Sequence, residues 1–335
     1  MWSTAVAIRK IRSARSKLVR NSAARLIPLV PSSVALRLRK VFPRWPAPCS
    51  RPIPARPTWQ LKDYTAWRIP NDRDTRLIAY EDKLAIKKIA ARVGVPAVPV
   101  LARLDPKSVD VDRHPDLQVD RFVLKMNHGW NDVVFVQRLG KGFLRLSGAH
   151  LTGDYNAAEA NTRIRRHFIW WSRHVHSPQE WAVSMVRPRV LFAEASLPMN
   201  DDYKVFLIHG RVEVIHPTSG RWGSDRTGAY FDREWRCIGA DDFAEDRFGS
   251  TAIERVTALF PRPTRLESLI SYAERMVPND MSFLRVDFFL LPDGNFLLGE
   301  GTGYSGGGHE IAKPHLELEL GKIHWRALQA GQAMA

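Results

Sequence analysis

The chain has 335 residues, 44% hydrophobic and 25% charged, with two cysteines and a formal net charge of +15. These values are ordinary for a globular protein in water and exclude a disulfide framework. No apolar run approaches the roughly 18–20 residues that a membrane span needs. Cys49 and Cys237 stand far apart and match no metal-site spacing, so a reducing compartment is expected.

The charge is unevenly placed. Lys and Arg occur fourteen times before Asp63 with no acid among them, whereas the rest of the chain holds 36 basic and 35 acidic residues. A nucleic-acid enzyme more often carries its positive groove on the folded body, so no nucleic-acid partner is expected. The first thirty residues read as an amphipathic helix with Trp2, Val6, Ile8, Ile11, Leu18 and Val19 toward one side. Residues 1–40 then suit an anionic membrane surface, where each nearby Lys or Arg contributes about 1 kcal/mol. An organelle transit peptide and a disordered tail are the alternatives. The expected location is the cytoplasm, with peripheral attachment at the inner face of the cell membrane. Pro43 to Pro57 holds six prolines in fifteen residues and reads as an extended linker.

In the body, EDKLAIKKIAARVG (Glu81 to Gly94) reads as a helix followed by an extended, proline-broken segment. RFVLKMNHGWNDVVFVQRL (Arg121 to Leu139) reads as strand, polar loop and strand, and the stretch from about Asp154 to Trp181 as mostly helical. RVLFAEASL is strand-like, and DYKVFLIHGRVEVIH is a hairpin turning at His209-Gly210. Alternation puts Asp202, Lys204, Phe206 and Ile208 on one face of it. Thr264 and Glu267 have capping-box spacing, ahead of a helical stripe of Leu266, Leu269, Ile270, Ala273, Met276 and Val277. Mixed helices and antiparallel hairpins predict an α+β fold.

SFLRVDFFLLPDGNFLLGEGTGYSGGG (Ser282 to Gly308) holds two acids inside apolar strands. A two-residue Asp293-Gly294 turn pairs Asp287 with Glu300 and Arg285 with Thr302, all on one face. Opposed Cβ atoms lie about 4.5–5.5 Å apart, so the two carboxylates repel unless a cation neutralises them. A hard divalent ion such as Mg²⁺ meets that need with oxygen ligands shared with phosphates. A wet sheet face with two unrelated acids is the plainer reading.

In order along the chain, Asp82-Lys83 opening a helix, FVLKMNHG, an acid-bearing strand at Glu194, DYKVFLIHG, RVDFF and GEGTGYSGGG resemble the ATP-grasp superfamily. The resemblance is nearest to its teichuronopeptide-biosynthesis (TupA-like) members and covers about Arg73 to Pro314. It implies an α+β ATP-grasp fold in four segments: a tail and linker (1–60), a helical segment (61–120), a small subdomain with a helical insertion (121–197) and a large subdomain with the metal site (198–335). It implies ATP and Mg²⁺ as cofactors, with Lys83 and Lys125 on the phosphates and the Asn127-His128-Gly129 loop closing over them. Trp130 follows that loop where the family has small residues. Glu194 is implied on the adenine side, Asp202 at the ribose, and Lys204 at phosphate or substrate. Asp287, Glu300 and Thr302 are implied as metal ligands, Thr302 standing where the family usually has Asn. Arg285 is implied to steady the transferring phosphoryl group. Gly301, Gly303 and the Gly306, Gly307 and Gly308 run are expected to admit a substrate, with His309 touching it. Lys87 and Lys88 are read as surface lysines, His174-Val175-His176 as no metal site, and Trp170-Trp171 as core or tail contact.

The activity so implied is carboxylate–amine ligation through an acyl phosphate, in cell-surface polysaccharide or polymer biosynthesis, the substrates carrying a carboxylate and an amine. A phosphotransferase acting on a sugar hydroxyl and a non-catalytic adaptor are the competing classes.

Overall fold

The computed structural model describes residues 56–129, 132–148, 151–174, 180–197, 201–220, 225–309 and 311–334. The basic tail, Trp130 and His176 lie outside the described residues. Two antiparallel six-stranded sheets with flanking helices give the expected α+β class.

Three helices come first: α1 (Leu61–Asn71), α2 (Arg76–Glu81) and α3 (Lys83–Arg92). Asp82 caps α3, its carboxylate accepting from the backbone of Leu84 and Ala85, which explains why that helix starts at Lys83. The small sheet follows, with β1 (Val100–Leu104), β2 (Arg121–Met126), β3 (Val134–Gly140), β4 (Phe143–Ser147), β5 (Gly153–Asn156) and β6 (Leu191–Ala195). Its order is β1-β6-β2-β3-β4-β5. Two helices, α4 (Ala157–Arg173) and α5 (Trp181–Met185), stand between β5 and β6. Ile164, Phe168 and Trp171 bury one stripe of α4 against this sheet's core, while Trp170 stays 49% exposed and meets Trp171 edge to face.

The large sheet runs β10-β9-β8-β7-β11-β12. It comprises β7 (Asp201–Ile208), β8 (Arg211–Ser219), β9 (Thr227–Phe231), β10 (Cys237–Ala240), β11 (Leu284–Leu290) and β12 (Phe296–Thr302). Helices α6 (Asp242–Phe248), α7 (Ala252–Leu259) and α8 (Leu266–Met276) cover one face, and the long α9 (Pro314–Met334) packs with α1 over the other. The expected α8 stripe is buried throughout. Burying each such side chain stabilises by about 1.5–3 kcal/mol. The expected capping box is absent. Leu266 N donates to Pro263 O, the cap position is Arg265 without a side-chain bond, and Glu267 instead pairs with Arg262 at 2.6 Å. A proline turn has taken over the role that Thr264 was expected to play.

Backbone bonds of residues 96–99 join the two sheets. Val98 N donates to Leu298 O, Leu298 N to Pro96 O, and Ala195 N to Pro99 O. Residues 96–99 therefore run from the edge of β12 to the edge of β6, and α3 lies across that junction.

Candidate active site

The β11–β12 hairpin reaches the expected pairing by an unexpected route. Leu291 N donates to Asn295 O at 2.8 Å and Gly294 N to Leu291 O at 2.9 Å, so the loop has three residues, not two. Gly294 supplies the positive φ of +78° that such a loop ends on. Pairing then runs Leu290 to Phe296 and Phe288 to Leu298 until a bulge adds Gly299 on β12. Beyond the bulge Asp287 faces Glu300 and Arg285 faces Thr302, as the sequence predicted. The bulge offsets the changed turn by one residue.

These side chains are tightly bonded. Arg285 donates to both oxygens of Asp287, at 2.7 and 2.8 Å, to Thr302 Oγ1 at 3.2 Å and to Ser305 Oγ at 3.3 Å. Burial raises the Asp287 carboxyl above its ordinary value; the Arg285 charge offsets part of that rise, and facing Glu300 adds to it. Across β11's other edge Asp287 faces Lys204. Lys204 Nζ donates to Asp202 Oδ2 at 2.7 Å and Thr218 Oγ1 at 2.9 Å, and the Thr218 hydroxyl bonds the other Asp202 oxygen. One rung of the sheet therefore reads Glu300, Asp287, Lys204, His216 across four strands.

Helix α3 reaches both sheets from one face. Residues four apart on a helix are neighbours. Lys83 Nζ lies 4.0 Å from Glu300 Oε2 in the large sheet and donates to the Gly129 carbonyl. Lys87 Nζ lies 3.4 Å from Glu194 Oε1 in the small sheet and donates to Val98 O at 2.9 Å. Lys125 closes the cluster, 2.7 Å from Glu194 Oε2. Lys87 is thus no surface lysine. Burial pushes its ammonium down to about 8, with Glu194 holding it up. Lys88 is exposed, as expected. Heptad-like spacing from Lys83 was the signal that could have singled out Lys87, since position i+4 shares its face.

The 127–129 loop is held rather than loose. Asn127 donates from Nδ2 to Pro188 O at 3.1 Å and accepts from Val190 N at 2.8 Å, so its side chain serves as a backbone clip. His128 is fully buried, its Nε2 lying 3.3 Å from His174 O, and burial pushes its imidazole down to about 4. The imidazole is therefore neutral at physiological pH.

The glycines after Glu300 face the protein. A Cβ at Gly301 would lie 2.6 Å from Ile86 Cδ1 and 2.9 Å from Tyr80 O, and one at Gly303 3.1 Å from Leu77 Cδ2 and Glu81 Oε1. A Cβ at Gly306 would lie 2.5 Å from Ile311 Cγ2, one at Gly307 3.1 Å from Glu180 Oε1, and one at Gly308 3.2 Å from Ala66 Cα. Close packing of α1, α2 and α3, rather than room for a substrate, accounts for Gly301, Gly303 and Gly308. His309 is exposed at the end of this turn, its backbone N bonded to Gly306 O at 3.0 Å.

Two side chains that sequence reasoning passed over pin this segment. Glu81 Oε1 accepts from Gly303 N at 2.6 Å, and Arg68 Nη1 donates to Gly303 O at 2.5 Å. Arg68 also donates to Phe283 O at 3.3 Å, bridging the open end of the hairpin beside Arg285 and Thr302. Asp72 neutralises it at 2.7 Å. Burial pushes the Glu81 carboxyl up to about 7.

Among the described residues no group of three or more His, Cys, Asp and Glu side chains could hold a metal. Asp287 and Glu300, with the Thr302 hydroxyl, still fit a hard cation that takes one or two carboxylates and completes its shell with phosphate and water oxygens. A cavity of about 280 Å³ lined by Arg103, Asp105, Arg113 and His114 contains none of these residues.

No family profile matches the chain, and no curated protein matches it. Among solved structures it is similar to D-cycloserine synthetase DcsG at 14% identity, TM-score 0.38, covering 82% of this chain and 78% of that one. It is similar to the D-alanine-D-alanine ligase from Coxiella burnetii at 12% identity, TM-score 0.39, covering 81% and 65%. It is also similar to the ATP-grasp ligase PsnB, complexed with minimal precursor, at 14% identity, TM-score 0.38, covering 76% and 62%.

Proposed function

We propose that the protein is an ATP- and Mg²⁺-dependent ATP-grasp ligase that joins a carboxylate to an amine. The observation that carries this reading is the junction at α3. Lys83 lies 4.0 Å from Glu300 in the large sheet and bonds the loop of the small sheet, while Lys87 and Lys125 converge on Glu194 one turn away. A row of cations between two acid-bearing sheets suits a polyphosphate lying along the seam.

Lys83, Lys87 and Lys125 hold the phosphates, Glu194 keeps the two inner lysines in place, and Asp202 meets the ribose. Asp287, Glu300 and Thr302 hold Mg²⁺, which neutralises charge on the phosphates when bound. The substrate carboxylate oxygen attacks the γ-phosphorus and ADP departs, leaving an acyl phosphate. The amine then attacks the acyl carbon, phosphate leaves, and the amine loses its proton to solvent. Arg285, locked by Asp287, stabilises the oxyanion of that second step, and Lys204 steadies the phosphoryl oxygens by charge. His309 and the Gly306-Gly307 turn stand at the substrate end. Catalysis is positioning and charge neutralisation, with no side chain bonded covalently to substrate.

The finer reading is addition of an amino acid to a cell-surface polysaccharide or peptide-like polymer, supported by the likeness of FVLKMNHG, DYKVFLIHG and RVDFF to TupA-like sequences. Residues 1–40 would hold the enzyme at an anionic inner membrane surface by their charge. No helix among the described residues is long and apolar enough to cross a membrane. The deciding experiment incubates the full chain with Mg-ATP and a panel of amino acids and sugar acids. Phosphate release with an amide product by mass spectrometry is the expected result. A phosphorylated sugar without amide would replace ligation by phosphotransfer, and absence of both ATP binding and phosphate release would remove the enzyme reading.

A further inference from the structure

We infer that Arg187 and Arg189 form an anion-binding pair that takes the oxygens of a phosphate or carboxylate beside the 127–129 loop. The two arginines flank Pro188 just before β6. Asn127 fixes this segment to the loop through three bonds, two from its side-chain amide and one from its own N to Val190 O at 2.9 Å. The segment's position is therefore set by the same residue that starts the loop.

Among the described residues, every hydrogen bond that either guanidinium makes ends on a main-chain carbonyl. Arg187 Nη1 donates to Ser184 O at 3.1 Å and Val186 O at 2.6 Å. Arg189 Nη1 donates to His174 O at 3.2 Å and Ser172 O at 3.4 Å. Among the described residues no carboxylate pairs with either, and the buried Arg189 Nε has no acceptor. Both guanidiniums keep Nη2 uncommitted, which leaves donors in the planar fork that matches carboxylate and phosphate.

Lys83 adds positive charge nearby, donating to the Gly129 carbonyl. The neutral His128 Nε2 lies 3.3 Å from the same His174 carbonyl that Arg189 uses. Burial, together with the charge of Arg187, pushes Arg189 down to about 10, so both arginines are still cations at neutral pH. A half-buried cation without a counter-charge, as Arg189 is, is costly, and an oxyanion removes that cost. Placing the anion next to the nucleotide rests on the proposed function; its binding by the arginine pair does not.

The test measures binding of ATP, adenosine and citrate to the full chain by calorimetry at low salt, in wild type, Arg187→Ala, Arg189→Ala and Arg189→Lys. Adenosine carries no anion and should bind all four alike. A loss of about tenfold or more in ATP affinity in both alanine variants assigns the pair to phosphate. The same loss for citrate alone assigns it to a carboxylate. Lysine should restore only part, because it keeps the charge without the fork. Unchanged ATP and citrate affinities in the alanine variants, or no binding of either by wild type, would overturn the inference. Should Arg189→Ala lower Tm by releasing the Ser172 and His174 carbonyls, the exposed Arg187→Ala decides. Failure of the ligase reading looks different: ATP still binds, the arginine effect persists, and no amide forms.

Discussion

The two halves of the candidate site are built in opposite ways. In the large sheet, Arg285, Asp287, Glu300 and Thr302 lie within eighteen residues, joined by one hairpin and bonded mainly to one another. At the small sheet, Glu194 is held by Lys87 and Lys125, residues more than sixty positions away. The first half is local, with Arg285 neutralising Asp287. The second exists only once α3 has docked across the seam. Charge in the hairpin is placed by register, whereas charge at Glu194 is placed by tertiary packing.

The comparison breaks most sharply at the acid pair. Glu300→Gln removes a charge and almost no volume, so turnover should fall by about a thousandfold while Tm stays near wild type. Phosphate release and circular dichroism measured together check this; normal turnover at ordinary Mg²⁺ would detach the hairpin from the chemistry.

Glu194→Ala should act on the fold instead. It leaves two largely buried lysines without their counter-charge, a loss of about 3 kcal/mol, at the low end because Lys87 can shed its proton. Urea unfolding at pH 7 reads this directly, and an unchanged midpoint would mean that the cluster is solvated.

Glu81 sharpens the contrast through pH. Its carboxyl is pushed up to about 7 in the folded protein from an ordinary value of 4.5. The folded state therefore holds a proton that the unfolded state has released, and stability falls as pH rises from about 4.5 to 7. The whole effect amounts to about 3 kcal/mol at most. Glu81→Gln keeps the acceptor for Gly303 N and should flatten that slope in chelator-treated protein, as Tm against pH will report. A slope identical to wild type would place the titration elsewhere.

The smallest effect separates two lysines. Lys125→Ala should weaken ATP binding about tenfold, and Lys88→Ala should leave it unchanged. Equal affinities in a binding titration would remove Lys125 from the nucleotide site.

What the sequence determined by itself was whatever depends on near neighbours along the chain. Alternation around the Asp-Gly turn put Asp287 opposite Glu300, and helical periodicity found the buried stripe of α8, because both follow from backbone geometry within a few residues. Even there the outcome rested on a compensation that no local rule foresees, a longer loop offset by the bulge at Gly299. The capping box did not form: the cap position is Arg265, and Leu266 N bonds the Pro263 carbonyl. Tertiary structure alone decided that Lys87 turns inward, that Arg68 and Glu81 seize the two ends of Gly303, and that the glycines meet α1, α2 and α3. It also decided that Asn127 clips a segment carrying two unpaired arginines. The physical reason is that a charged side chain's partner is chosen by which surfaces meet on folding. A lysine bound for solvent and one bound for a buried carboxylate can therefore stand side by side, as Lys88 and Lys87 do, parted in the letters only by the i+4 spacing of Lys87 from Lys83.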